Sequence, residues 1–181
     1  MLEHTRRLAL GADGSLRLAV VADTHSTPHA AVMGHLAALR PDAILLAGDI
    51  GALSVCADLA RIAPLYAVRG NIDARSPELP DALVLEIADG EQPVTLRLLL
   101  VHIAVNGLTV RPDAARRARA CGASVVVCGH SHVPFLTRDR GLTLFNPGSI
   151  GPRRFRLPIV FGTLTVERAG VRFAHFDAET G

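Results

Sequence analysis

The feature that most restricts the fold of this chain is a short apolar run that ends on a polar residue and recurs along the sequence. Three such runs come first, at 17–22 before Asp23, at 43–47 before Asp49 and at 65–68 before Asn71. The segments between them favour helices, one that follows Pro28 and ends before Arg40, and one over 51–62. This β-α-β-α-β alternation predicts a parallel sheet whose polar strand ends lie at one edge.

The pattern changes after Pro80, where the apolar runs 82–88 and 94–101 are separated by the turn-forming residues 89–93. Two runs joined in this way predict a β-hairpin. Further along, we expect a helix at 111–120 and four more strands, at 123–128, 142–146, 158–166 and 171–176. The sum is an α/β fold in which two sheets pack face to face with helices outside.

Length and composition indicate one ordered domain, because 181 residues with 49% apolar content can build a substantial core. We expect this domain to fill 1–181, with 1–16 as an N-terminal extension. All 19 basic residues are arginine, and a formal charge of +2 is too small to indicate a nucleic-acid or membrane partner. Cys56, Cys121 and Cys128 have no disulfide or metal spacing, and the N-terminus lacks a signal-peptide core, so we expect a cytoplasmic protein.

Polar clusters at the predicted strand ends are the candidate functional residues. They comprise Asp23, His25, Asp49, Asn71, Asp73, His102, His130 and His132. Each cluster alone has a plain explanation, since Asp-x-His fits a solvated turn and His102 fits a core histidine. Neighbouring strands lie about 4.8 Å apart, so the clusters together would bring carboxylates and imidazoles into one site, where they repel or stay unpaired without a cation. Their conjunction therefore indicates a metal centre.

The motifs D-x-H, G-D, G-N-x-D, H and G-H-x-H, in this order, resemble those of the calcineurin-like metallophosphoesterase superfamily over about residues 17–154. The chain is most similar to its small single-domain bacterial and archaeal phosphodiesterases, which share the Asn-Pro-Gly-Ser stretch at 146–149 and a following arginine, here assigned to Arg153. The resemblance implies a four-layer α/β/β/α sandwich of two mixed sheets flanked by helices. It also implies two metal sites, one formed by Asp23, His25 and His132 and the other by Asn71, His102 and His130, with Asp49 as the bridge.

The expected cofactors are two divalent transition-metal ions, with manganese as the first expectation and iron, nickel and zinc as alternatives, because a histidine-rich shell suits these metals better than magnesium or calcium. The predicted nucleophile is metal-bound hydroxide in in-line attack on a small phosphoester. Asp49, Asn71, Asp73 and His102 are the candidate catalytic residues. For Asp73, two interpretations stay open: a residue that orients a ligand or the water, and a solvated turn aspartate. Cys128 is interpreted as strand packing and not as a nucleophile.

Two departures from the family pattern bear on the substrate. Many relatives carry a histidine after the asparagine as a general acid, but this chain has Ile72, which favours good leaving groups and phosphodiesters. Relatives also continue Gly-His where Ile103 and Ala104 follow His102 here, so a polar contact to the substrate is lost. Arg153, Arg154 and Arg156 form a basic cluster that could hold a phosphate or face solvent or a subunit.

Two other functions stay open beside the phosphodiesterase. One is a phosphomonoesterase or nucleotide phosphatase, whose recognition residues would lie in 72–81 and 103–112. The other is a protein-binding module on the same fold, like the retromer subunit that resembles this family but has a degraded metal site. A homodimer is implied by the resemblance alone.

Overall fold

Two β-sheets pack face to face at the centre of the computed structural model, which describes residues 2–180. The strands in chain order are β1 (Glu3–Ala9), β2 (Ser15–Val21), β3 (Ala43–Leu46), β4 (Leu65–Ala67), β5 (Ala82–Ala88), β6 (Val94–Val101), β7 (Val105–Asn106), β8 (Thr109–Val110), β9 (Val125–Val127), β10 (Phe135–Asp139), β11 (Leu142–Asn146), β12 (Val160–Glu167) and β13 (Gly170–Asp177). The helices are α1 (Ala30–Leu39), α2 (Ser54–Ala60) and α3 (Pro112–Cys121).

The first sheet has the strand order β13-β12-β2-β3-β4. β2, β3 and β4 are parallel, with Leu18 opposite Ala43 and Ile44 opposite Leu65, which confirms the predicted β-α-β-α-β unit. β12 lies antiparallel to β2 and completes the sheet from the C-terminal end of the chain. Because β2, β3 and β4 point the same way, the loops that follow them meet at one edge.

The second sheet has the order β1-β5-β6-β9-β11-β10. β5 and β6 form the predicted antiparallel hairpin, whereas β6, β9 and β11 are parallel neighbours. α3 makes the crossover between β6 and β9, and it begins with Pro112 at its first turn and ends at Gly122 in the left-handed conformation. The loops that follow the parallel strands β6 and β9 therefore lie at the same end of the second sheet.

Three buried apolar clusters define the four layers. Leu18, Leu98 and Phe145 are among the residues that fill the space between the two sheets. α1 and α2 cover the outer face of the first sheet, and α3 covers the outer face of the second through Ala114 and Ala118. Full burial of one such large apolar side chain is worth roughly 1.5–3 kcal/mol, so the layers are held mainly by hydrophobic burial. The predicted α/β/β/α sandwich is confirmed.

Several elements differ from the sequence-based expectations. Residues 3–9 of the expected N-terminal extension form β1, which pairs in parallel with β5 and widens the second sheet. β10 and the small β7–β8 hairpin were not predicted, and α2 is shorter than the expected 51–62. None of the helices within residues 2–180 is long and apolar enough to cross a membrane.

Candidate metal centre

The loops after β2, β3, β4, β6 and β9 bring the predicted ligands together at one end of the two sheets. Their donor atoms fall into two groups, in each of which the atoms lie within 4.8 Å of one another. The first group is Asp23, His25 and His132, and the second is Asp49, His102 and His130. Each strand delivers its polar residue at the point where its buried apolar run ends, as the sequence predicts.

The first group is almost fully enclosed. His132 Nε2 lies 3.5 Å from Asp23 Oδ1 and 3.3 Å from His25 Nε2. The backbone N–H of His130 donates to both carboxylate oxygens of Asp23, at 3.2 and 3.0 Å, which fixes the carboxylate relative to the loop after β9. Two imidazole nitrogens and one carboxylate therefore converge with the donor set that a borderline divalent transition metal prefers.

Asp49 belongs to the second group, but its two carboxylate oxygens face different groups. Its Oδ1 is 3.2 Å from His102 Nε2, and its Oδ2 is 3.8 Å from His25 Nε2. The backbone N–H of Asn71 donates to Oδ1 at 2.6 Å, and the Asn71 side-chain amide lies 3.5 Å from His130 Nδ1. Asp49 thus directs its two carboxylate oxygens to imidazole nitrogens of different groups.

His102 shows that the second group fits a cation. Its Nδ1 lies 2.7 Å from the Ala47 carbonyl oxygen, and a carbonyl can only accept, so Nδ1 carries the hydrogen and Nε2 is left with a lone pair. That Nε2 is buried and has no hydrogen-bond partner among residues 2–180, while it faces a carboxylate oxygen. Two lone pairs directed at each other are unfavourable unless a positive ion lies between them.

The electrostatics of the site also suit a bound cation. Burial, followed by the charge of Asp49, raises the pKa of Asp23 to about 8. Burial, followed by the charge of Arg154, lowers the pKa of His132 to about 4, and burial lowers the pKa of His102 as well. The protein alone therefore favours neutral forms of these groups, and a bound cation would favour the carboxylate and the neutral imidazoles that ligate metals.

The backbone of the site is strained at the ligands themselves. Five of them have a φ between 44° and 70°: Asp23, His25, Asp49, His130 and His132. This left-handed region is unfavourable for most residues other than glycine, although aspartate and histidine enter it more often than others. Such conformations persist only where the surrounding structure imposes them, and they gather at functional sites.

Two glycines of the motifs allow the loops to approach each other. A Cβ on Gly70 would lie 2.0 Å from the Asp49 nitrogen and 2.2 Å from Asp49 Oδ1. A Cβ on Gly129 would lie 2.9 Å from Asp23 Oδ2 and from the Ala47 carbonyl oxygen. Any side chain at these positions would push a candidate ligand away, which explains why the motifs place glycine there.

Asp73 does not belong to either donor group, and its carboxylate binds backbone instead. It accepts hydrogen bonds from the N–H groups of Ile50 at 3.0 and 3.1 Å, Gly51 at 2.9 Å and Gly70 at 2.8 Å. With a relative exposure of 9%, it is not the solvated turn residue that one interpretation assumed. Its contacts tie the loop of Asp49 to the loop of Asn71.

The Asn-Pro-Gly-Ser stretch serves the same purpose on the other side of the site. Asn146 Nδ2 donates to the Gly129 carbonyl oxygen at 2.8 Å, and Ser149 Oγ donates to the Asp23 carbonyl oxygen at 3.0 Å. Both side chains are buried. No role was expected for these two residues, but polar residues at the end of the apolar strand β11 and just after it were the signal that could have indicated one.

The basic cluster divides into residues with different contacts. Arg153 binds the Leu157 carbonyl oxygen and the Glu179 carboxylate, whereas Arg154 Nη2 lies 3.1 Å from His25 Nε2. The arginine that reaches the metal centre is therefore Arg154, whereas Arg153 is held by Leu157 and Glu179.

Residues next to the ligands also have distinct surroundings. Ile72 is 52% exposed at the rim, so the position where many relatives carry a general acid presents a methyl surface. Ala104, the second residue after His102, is buried. Burial raises the pKa of the Cys128 thiol to about 12. Cys128 therefore stays protonated at neutral pH and packs in the core, in agreement with its interpretation as strand packing.

Comparisons with known proteins show what the chain is similar to. A family model described as the calcineurin-like phosphoesterase superfamily domain matches residues 16–169. A probable metallophosphoesterase of Methanocaldococcus jannaschii is 30% identical over 156 residues, which cover 81% of this chain and 73% of that protein. Among solved structures, a predicted phosphoesterase from Streptococcus pneumoniae has a TM-score of 0.66 and 18% identity over 91% of each chain. Vps29 of Entamoeba histolytica, solved in complex with zinc, has a TM-score of 0.64 and 19% identity over 90% of this chain and 99% of its own.

Proposed function

The chain belongs to the calcineurin-like phosphoesterase superfamily, as its motifs predicted, and from that premise we propose that it is a dinuclear metal-dependent phosphodiesterase. The observation that carries the proposal is the position of Asp49, with one oxygen directed to His102 and the other to His25. A carboxylate placed in this way suits two cations that share it.

Asp23, His25 and His132 would hold one ion, and Asn71, His102 and His130 the other. When bound, two such ions supply a nucleophile derived from water near neutral pH and withdraw charge from the phosphoryl oxygens. Manganese is the first choice, and iron, nickel and zinc are the alternatives, because the donors are mainly imidazole nitrogens with two carboxylates.

The remaining residues position these groups and the phosphate. Arg154 can donate to a phosphoryl oxygen from beside His25, and such charge-assisted bonds are about twice as strong as neutral ones. Asp73 holds the loops of Asp49 and Asn71 together. Ile72 cannot protonate a leaving alcohol, so that proton must come from solvent, and esters with good leaving groups are favoured. The preference for good leaving groups supports phosphodiesters as substrates over a broad range of phosphomonoesters.

The decisive experiment compares hydrolysis of bis(p-nitrophenyl) phosphate and p-nitrophenyl phosphate by chelated protein that is re-supplied with manganese, nickel, zinc or magnesium. We expect a transition metal to restore diester cleavage and metal analysis to find about two ions per chain. Asp49→Ala should lose activity and most of the metal, because it removes the shared carboxylate. Asp58→Ala, at a half-exposed carboxylate that pairs with Arg61 on the surface, is the matched control.

Other outcomes of this experiment select the other functions. Faster cleavage of the monoester would identify a phosphomonoesterase. Tight metal binding without hydrolysis of either ester would favour a protein-binding module on this fold. Equal activity in wild type and Asp49→Ala would refute the dinuclear mechanism.

Compartment and oligomeric state complete the proposal. We place the protein in the cytoplasm because its three cysteines, an odd number in the sequence, are free thiols in the structure. The homodimer implied by the family is tested by sedimentation of the purified chain, where a monomer at micromolar concentration would exclude it.

A further inference from the structure

Two clefts reach the candidate metal centre and share Ile103 and Arg111 in their walls. The first has a volume of about 220 Å³ and is lined by charged residues, among them Arg69 and Asp113, together with the candidate ligand His102. The second has a volume of about 700 Å³ and includes the candidate ligand His130. The site therefore has two neighbouring spaces of different polarity, one at each histidine of the same donor group.

The larger cleft has a mostly apolar wall made by the β7–β8 hairpin and the segment after His132. Leu108 at the hairpin tip is 58% exposed, and Val133 is 43% exposed. Both belong to the lining, as does the half-buried Phe135. Large apolar side chains that are exposed together in a concave space next to a reactive centre are typical of a ligand-binding pocket, and the volume falls within the usual range of about 300–1,000 Å³.

The charges of this cleft restrict what can occupy it. Within the part of the chain that the structure describes, its lining contains no carboxylate. Its one permanently charged residue is Arg111, which lies at the border with the smaller cleft and whose Nε is 3.2 Å from the Asp113 carboxylate. An uncharged occupant fits this lining, whereas a cationic group would find no partner.

The rings and polar atoms of the lining favour a planar aromatic occupant over a flexible chain. His130 and Phe135 offer aromatic surfaces, and the Asn106 amide and Ser131 hydroxyl offer hydrogen bonds to ring heteroatoms. His130 lies both in the cleft and in the metal-ligand group. An occupant that is bonded to a phosphate at the centre can therefore extend into the cleft.

We propose that the cleft between the β7–β8 hairpin and residues 129–135 binds an uncharged planar aromatic substituent of a phosphodiester, such as an aryl or nucleobase-bearing group. This inference rests on the proposed function, because it takes the phosphate to lie at the metal centre. It assigns Leu108 and Val133 as specificity-determining residues.

The test uses three monoanionic phosphinates that have no ester bond to hydrolyse and share a methylphosphinate group: methyl(phenyl)phosphinate, cyclohexyl(methyl)phosphinate and dimethylphosphinate. The full chain, loaded with diamagnetic zinc, is titrated with each while the leucine and valine methyl signals are followed by NMR. We expect the phenyl compound to bind about tenfold tighter than the methyl compound and more tightly than the cyclohexyl compound, since burial of a phenyl ring adds apolar area and ring stacking. The shifted signals should include Leu108 and Val133.

Variants assign the effect to the cleft. Leu108→Ala and Val133→Ala should each reduce the phenyl-over-methyl preference about threefold, because each removes apolar contact area. Leu53→Ala, at a leucine that lies outside both clefts and is 69% exposed, should leave the preference unchanged. Equal affinity for all three ligands, shifts confined to other residues, or preference for cyclohexyl would overturn the inference.

The outcome is separable from that of the proposed function. If the aromatic ligand binds at Leu108 and Val133 but no diester is hydrolysed with any metal, the phosphodiesterase proposal fails and the aromatic cleft stands. If diesters are hydrolysed and the three ligands bind equally, the cleft inference fails and the phosphodiesterase proposal stands.

Discussion

Replacement of Asp73 by asparagine tests how the two ligand-bearing loops are held together. The carboxylate accepts hydrogen bonds from the backbone of Ile50, Gly51 and Gly70. Asparagine has nearly the same shape, but only its oxygen can accept, so its NH₂ group must face at least one of these N–H donors. The variant therefore removes one buried hydrogen bond and makes the others neutral.

The expected loss follows from the strength of these bonds. A hydrogen bond to a charged group contributes about 1.5–3 kcal/mol, and an unsatisfied buried donor costs about 1–3 kcal/mol. We therefore expect Asp73→Asn to lower the free energy of unfolding by about 2–4 kcal/mol, which for a chain of this size is a fall in Tm of about 5–15 °C. Because the loops also carry Asp49 and Asn71, metal affinity should fall about 10–100-fold.

Thermal unfolding of the metal-free protein by circular dichroism measures the first effect, and competition with a chromophoric chelator measures the second. Asp58→Asn, at a surface carboxylate paired with Arg61, should change stability by less than about 0.5 kcal/mol. Unchanged Tm and metal affinity in Asp73→Asn would refute the reasoning. A fall in kcat alone would instead indicate that Asp73 acts on the substrate or on water.

Three further variants test other parts of the structure. A Cβ at position 162 would lie 2.5 Å from Phe145 Cζ. Gly162→Ala should therefore lower the free energy of unfolding, measured in urea, by about 1–3 kcal/mol without loss of metal. Unchanged stability would show that the Phe145 ring moves aside freely. Arg154→Ala should raise KM for a diester about tenfold, because a charge-assisted bond to the phosphate is lost. Arg153→Ala should change KM less than twofold. Equal effects of the two variants would contradict the role of Arg154 in phosphate binding. Cys128→Ala should alter kcat less than twofold, since the fully buried thiol is packing, and loss of activity with normal metal content would disprove that role.

The convergence of the candidate ligands could be predicted from the sequence because each follows an apolar run that ends at the same edge of a sheet. Asp23, Asp49 and Asn71 come from one sheet, and His102 and His130 come from the other. The order of the motifs predicts that these residues lie together, without information on how the two sheets pack.

Other features could not be predicted, for identifiable physical reasons. β1 is an edge strand with mostly exposed residues, so it lacks the apolar alternation that marks a strand. β7 and β8 have two residues each, too few for any periodicity, yet they build one wall of the larger cleft. Arg154 precedes Phe155, whose φ of 53° is left-handed, and such a local turn is not encoded by residue type.

The left-handed backbone conformation at the candidate ligands lowers the stability of the fold at the same positions that metal binding needs. Five left-handed residues at roughly 1–2 kcal/mol each amount to a sum comparable with the net stability of a typical domain. Glycine at any of these positions would relieve strain and delete a ligand in the same step. Lineages selected only for a stable scaffold would therefore drift towards glycine there and lose the metal centre. This chain has aspartate or histidine at all five positions, so it carries backbone strain that glycine would relieve only with loss of the candidate ligands.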